Sequence, residues 1–226
     1  MLNALNFTSF EEVPRVESDC EFDVQSLAGG LLDPGYQSLL YMTSWGSKQH
    51  DEAHAWPRIR RMKGFRQAIE AVGGQVHESP AARAPGQISA EIFLSPMPTD
   101  WNDPYQIGEL AMRQILARKE LPEVVLCAND DWAAGAMKAC GQAGLSIPDQ
   151  IGITGNDGTV ISGYGFIPLT TTIQPVSAMA RKAMELLGLL IEKKPLPGDA
   201  MVIKLPGEVA WRDSTRRPPS QLPRGS

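Results

Sequence analysis

The chain has 226 residues, 42% of them hydrophobic and 21% charged, with a formal net charge of −5. A chain of this size can bury a substantial core without crosslinks, and its acidic balance excludes an unaided grip on nucleic acid, which rests on Lys and Arg facing phosphates. Cys20, Cys127 and Cys140 stand far apart with no CxxC pair, so neither a disulfide framework nor a structural zinc site is indicated, and no apolar run is long enough to span a bilayer.

Residues 1–16 are expected to be a loosely ordered segment ending in a short strand at 13–16. Residues 22–32 read as a helix, with Val24, Leu27, Ala28, Leu31 and Leu32 on its apolar face. Asp33-Pro34-Gly35 is a turn, because Pro presets φ and Gly relieves strain. Residues 38–42 read as a buried strand and 44–57 as a long polar loop. A helix is expected over 58–72, carrying Ile59, Met62, Phe65, Ile69 and Val72 and stopped by Gly73-Gly74. Two short strands are expected at 75–78 and 88–94. Asp103-Pro104 opens the next helix, with Asp as cap and Pro in the first turn, and this helix runs to about 118.

The stretch 121–157 is the most informative in the chain. An apolar run at 124–128 meets the turn Asn129-Asp130-Asp131. A helical pattern then carries Ala133, Ala134, Met137, Cys140 and Ala143 to Gly144. A second run at 151–154 ends in Gly155-Asn156-Asp157-Gly158. This is a βαβ unit. A Gly-rich loop is expected over 158–168, a Thr-rich strand over 169–173, and a helix over 176–192 with Met179, Ala183, Leu186, Leu187, Leu190 and Ile191 as its stripe. A last strand pair is expected within 201–211. Residues 216–226, Pro-rich and polar, read as a disordered tail. Strands and helices alternate, so the class is α/β with a mainly parallel, doubly wound sheet.

In open parallel sheets ligands bind beyond the carboxyl ends of the strands. Asn129 and Asp157 stand at two such ends and could exchange hydrogen bonds with ligand hydroxyls, although Asn and Asp are common in turns anyway. Asp130 is an alternative cap for the following helix. Arg61 offers a planar fork of donors suited to paired hydroxyls or a carboxylate, but it also reads as one charge of a solvated run with Arg58, Arg60 and Lys63. Trp101 could cover the apolar face of a sugar ring or pack on the sheet edge. His50 and His54 would share a helix face, yet the segment is polar and no third ligand is visible, so no metal is expected. No nucleophile elbow, P-loop or GxGxxG is present, so neither a cofactor nor enzymatic activity is expected.

The motifs Ala128-Asn129-Asp130, 144–151 (GLSIPDQI), Gly155-Asn156-Asp157 and 168–175 (PLTTTIQP), with Arg61-Met62-Lys63-Gly64-Phe65 and 211–215 (WRDST), resemble in order and spacing the effector-binding core of lactose-repressor-type (LacI/GalR) transcription regulators. The resemblance covers about residues 13–215. It implies a periplasmic-binding-protein-like (type I) fold with a small molecule between two lobes, and it makes Arg61, Asn129, Asp157, Gln174 and Trp101 candidate ligand contacts. It assigns 17–174 to the C-terminal lobe, 175–197 to a returning segment of the N-terminal lobe, and 198–215 to the closing strands of the C-terminal lobe. The DNA-binding head and most of the N-terminal lobe have no counterpart here. The resemblance implies a sensing domain of a repressor, with a sugar or polyol as effector. It implies a homodimer, DNA contact only through a head outside this chain, no membrane, and a cytoplasmic location. The alternative is a periplasmic-type sugar-binding protein, against which the N-terminus weighs, having no basic, apolar leader pattern.

Overall fold

A computed structural model describes residues 14–44, 52–78, 86–95, 103–198 and 201–218, with 52–56 as backbone alone. The central element is a five-stranded, all-parallel sheet. Its strands, in spatial order, are β3 (Gln75–His77), β4 (Ser89–Ser95), β2 (Ser38–Ser44), β5 (Val124–Cys127) and β6 (Gly152–Thr154). Both faces are covered, as parallel sheets require. Side chains alternate along each strand: Leu39 and Tyr41 of β2 face one core with α1 (Cys20–Leu32) and α2 (Glu52–Glu70). Leu40 and Met42 face the other, with α3 (Pro104–Leu116) and α4 (Asp130–Gln142).

Each helix pair crosses at a glycine. A Cβ on Gly64 would collide with the Glu21 carbonyl, and Cβ atoms on Gly108 and Gly135 would collide with the backbone of the facing helix. The α3 cap is as expected: the Asp103 carboxylate accepts from the Tyr105 and Gln106 amides, with Pro104 at the first position.

Beyond β6, the short helix α5 (Val160–Tyr164) leads into β7 (Thr171–Ile173), which pairs antiparallel with β9 (Glu208–Ala210). A second, small body is built from β1 (Arg15–Ser18), α6 (Val176–Ile191) and β8 (Val202–Leu205). β1 and β8 pair in parallel, and Val16, Met179 and Leu186 form the core. The chain passes between the bodies three times: β1 to α1, β7 to α6, and β8 to β9.

Four expectations are corrected. The helix expected from 58 begins at Glu52 and runs through Pro57; residues 52–57 carry no apolar repeat, and Pro57 reads as a boundary because proline restricts the residue before it. The loop expected over 158–168 contains α5. The two last strands do not pair with each other. β8 completes the small body and only β9 joins the large one, so 198–215 is not one set of closing strands. The start of the expected tail is ordered: the Arg216 amide donates to the Tyr36 hydroxyl at 3.0 Å and its guanidinium lies over that ring. Among the described residues, no helix is long and apolar enough to cross a membrane.

Candidate functional site

The carboxyl end of β6 lies beside the crossover into α6, since Gln174 donates to Asp157. Ala128 follows β5, and Asp157 follows β6, held by its amide donating to the Thr172 carbonyl at 3.0 Å. Asp157 has φ 132°, a backbone conformation that non-glycine residues rarely adopt. Such conformations persist only where the surroundings over-determine them, and they concentrate at ligand clamps and switches.

Arg61 reaches this point from α2. Its Nη1 donates to the Ala128 carbonyl at 2.9 Å and its Nη2 to Asp157 Oδ1 at 3.1 Å. The same Oδ1 accepts from Gln174 Nε2 at 2.7 Å and from Asn156 Nδ2 at 3.3 Å. Asn156 is anchored in turn by the Thr172 hydroxyl, which donates to its Oδ1. Arg61, Asp157 and Gln174 therefore form one cluster drawn from α2, the β6 end and the β7–α6 crossover. Burial raises the Asp157 carboxyl above its ordinary range; the Arg61 charge and the Gln174 hydrogen bond oppose that without cancelling it.

Two buried donors beside this cluster have no protein partner among the described residues: Arg61 Nε and the Tyr41 hydroxyl. Burial also raises the Tyr41 hydroxyl's pKa, so it stays protonated. Unsatisfied buried donors are rare in folded proteins and commonly mark a place for water or ligand oxygen.

Asn129 is used differently. It is the N-cap of α4, its Oδ1 accepting from the Trp132 amide at 2.8 Å, so its oxygen is spent on the helix and only its amide nitrogen remains for other partners. Asp130, the alternative cap, lies in the first turn and is fully buried. It accepts from the Thr159 amide and hydroxyl at 2.6 and 2.8 Å and from the Thr171 hydroxyl at 2.6 Å. It ties α5 and β7 to α4. Trp101 and His50 lie outside the described residues, as does the side chain of His54; among the described residues no group of His, Cys, Asp and Glu could hold a metal ion.

The basic run is a solvated face only at Lys63, which is exposed. Arg60 is buried and pairs with Glu17 at 3.2 Å and Asp19 at 3.4 Å; Arg58 donates to the Ser44 carbonyl; Lys63 pairs with Glu21. Asp23, which sequence reasoning passed over, is buried in the first turn of α1. It accepts from Ser18 Oγ at 3.0 Å and from the Gly207 amide at 2.7 Å. No local pattern marks Asp23 or Arg60, because their partners lie across the crossovers.

A doubly wound sheet joined to a small second body by three crossovers carries a charged cluster at its strand ends, the place where ligands of open parallel sheets bind. Residues 28–215 match the periplasmic binding protein-like domain. The chain is similar to the repressor PurR of Histophilus somni (30% identical over 200 residues, 85% of this chain and 55% of that protein). It is also similar to catabolite control protein A of Priestia megaterium (24% over 213 residues, 94% of this chain and 57% of that protein). Among solved structures, a LacI-family regulator from Enterococcus faecium with bound ribose superposes with a TM-score of 0.69 at 21% identity, covering 96% of this chain and 69% of that one. The chain thus belongs to the periplasmic binding protein-like domain family and corresponds to the effector-binding core of LacI-type transcription regulators. It spans about half the length of the curated relatives it matches. Those relatives are transcription regulators, not enzymes.

Proposed function

We propose that this chain is the small-molecule-sensing core of a LacI-type regulator, with a sugar or polyol held at the Arg61–Asp157 cluster. The observation that carries this is the cluster itself. A guanidinium and a carboxylate meet at the strand ends, with Arg61 Nε and the Tyr41 hydroxyl lacking partners among the described residues. An array of donors and acceptors this dense suits a molecule whose hydroxyls both donate and accept. The ribose bound to the Enterococcus faecium regulator is consistent with that class.

Regulation then follows from differential affinity of the ligand for two arrangements of the bodies. DNA contact belongs to a head outside these residues, and we place the working protein in the cytoplasm with its operator.

Homodimerisation is supported by one surface. Val160, Ile161, Tyr164 and Phe166, on and just after α5, are all more than half exposed, and contiguous apolar patches of this kind mark association sites. A second copy presenting the same patch would form a two-fold contact. Sedimentation should show a dimer that Phe166→Asp converts to monomer with an unchanged far-UV circular dichroism spectrum; a wild-type monomer would refute it.

The binding test is a thermal-shift screen against sugars, polyols, sugar acids and nucleosides. Binding to the native state raises the midpoint by mass action. A shift that vanishes in both Arg61→Ala and Asp157→Ala establishes the site; shifts that persist in both place the ligand elsewhere.

A further inference from the structure

The three crossovers are fastened unequally. The first and third are gripped by one carboxylate of the large body: Asp23, only 3% exposed, accepts from Ser18 Oγ on the first and from the Gly207 amide on the third. Arg60 adds a second grip on the first, through Glu17 and Asp19. Gly207 has no room to spare, since a Cβ there would collide with the Ile173 carbonyl. The second crossover is held by fewer side chains, its backbone tie being the Gln174 amide, which donates to the Asp157 carbonyl at 3.4 Å. Ile173 and Val176 on either side of it are exposed. Its one side-chain hydrogen bond to the large body, among the described residues, is Gln174 Nε2 to Asp157 Oδ1.

We propose that this Gln174–Asp157 bond is a latch between the two bodies, which a vicinal diol opens by taking over both oxygens of Asp157, with Asp23 as the fixed pivot. The proposal rests on the ligand site argued above. All three side-chain donors to Asp157 converge on Oδ1, so a ligand that grips the carboxylate with two adjacent hydroxyls must displace one of them. Arg61 is charged and anchored a second time on the Ala128 carbonyl; Asn156 is anchored on Thr172. Gln174 has no second side-chain partner among the described residues, and it alone comes from the crossover. It is the donor that yields. Gln174 is then a positioning residue, not a ligand contact. Its loss should strengthen binding, because a ligand binds more weakly when it must first shift the protein away from a favoured arrangement.

The test places spin labels at Ala143→Cys beyond α4 and Arg181→Cys on α6, both exposed, while the native thiols are buried. Separation between labels is measured in the otherwise native chain, in Gln174→Ala and in Gln174→Glu, which sets a second negative charge against Asp157. Both variants should show a shifted mean separation, and D-ribose should move the native distribution toward theirs. Gln174→Ala should also bind D-ribose several-fold more tightly. Native separations in both variants would overturn the latch, and so would weaker ribose binding by Gln174→Ala, which would make the side chain a ligand contact. Shifted separations with no ribose binding by any of these proteins would support the latch while counting against the ligand reading.

Discussion

Asp23 and Gly207, 184 positions apart in the chain, are joined by a 2.7 Å hydrogen bond from the Gly207 amide to the Asp23 carboxylate. Through it the first turn of α1 holds the crossover between β8 and β9, while the other carboxylate oxygen holds Ser18. Asp23→Ala leaves an amide and a hydroxyl unsatisfied in a buried place, which costs about 1–3 kcal/mol. Urea denaturation should show that loss. A loss under half a kilocalorie per mole would mean that the crossovers do not depend on this residue.

Adjacent arginines should behave differently. Arg60 is almost fully buried against an equally buried Glu17, and removing one partner of such a pair costs about 3–5 kcal/mol. The Arg61–Asp157 pair is partly exposed, so Arg61→Ala should cost about 1–2 kcal/mol once solvent screening is allowed for. Only Arg61→Ala should abolish a ligand-induced thermal shift. Equal stability losses, measured by the same denaturation, would refute the division of roles.

Two carboxylates whose pKa is raised by burial set a pH dependence. Burial raises both Asp23 and Asp157. The native state therefore holds their protons more tightly than the unfolded chain, whose Asp titrates near pH 4. Their contribution is largest at low pH and is lost as pH rises through the native values. Glu21, whose pKa is lowered by its hydrogen bond from Lys63, acts oppositely and loses its contribution only at still lower pH. Melting temperature should accordingly rise as pH falls from 7 toward about 4.5. Asp157→Asn should flatten that slope; an unchanged slope in the variant would assign it to other groups.

The thiols should be silent in the native protein. All three are buried, and burial raises each of them, Cys140 to about 12 and Cys127 well above its ordinary value. The thiolate is the reactive form. Titration with a chromogenic disulfide should give no rapid release from the folded chain and three equivalents in denaturant. One fast equivalent under native conditions would show an opening that reaches a core face.

Much of the fold was legible because periodicity reports which face of an element is buried. The β5–α4–β6 unit appears in the alternation of apolar runs, polar turns and helical spacing, and the cap of α3 appears as Asp103, whereas the cap expected for α4 at Asp130 is Asn129. The failures share one cause. Residues 52–57 lack an apolar stripe, α5 is only five residues long, and the partners of β8 and β9 are fixed by contacts far along the chain. Periodicity carries no information about any of these.

The candidate site divides in the same way. Sequence by itself determined that an Arg stands on a helix and an Asp at a strand end, and the family resemblance drew attention to both. Only the tertiary structure decided that they meet, 96 residues apart. It also decided that Asn129 spends its oxygen on a cap and that Gln174 fastens a crossover to Asp157. Local sequence sets what each segment can offer; which offers are taken depends on the closing of long loops, whose partners no local pattern encodes.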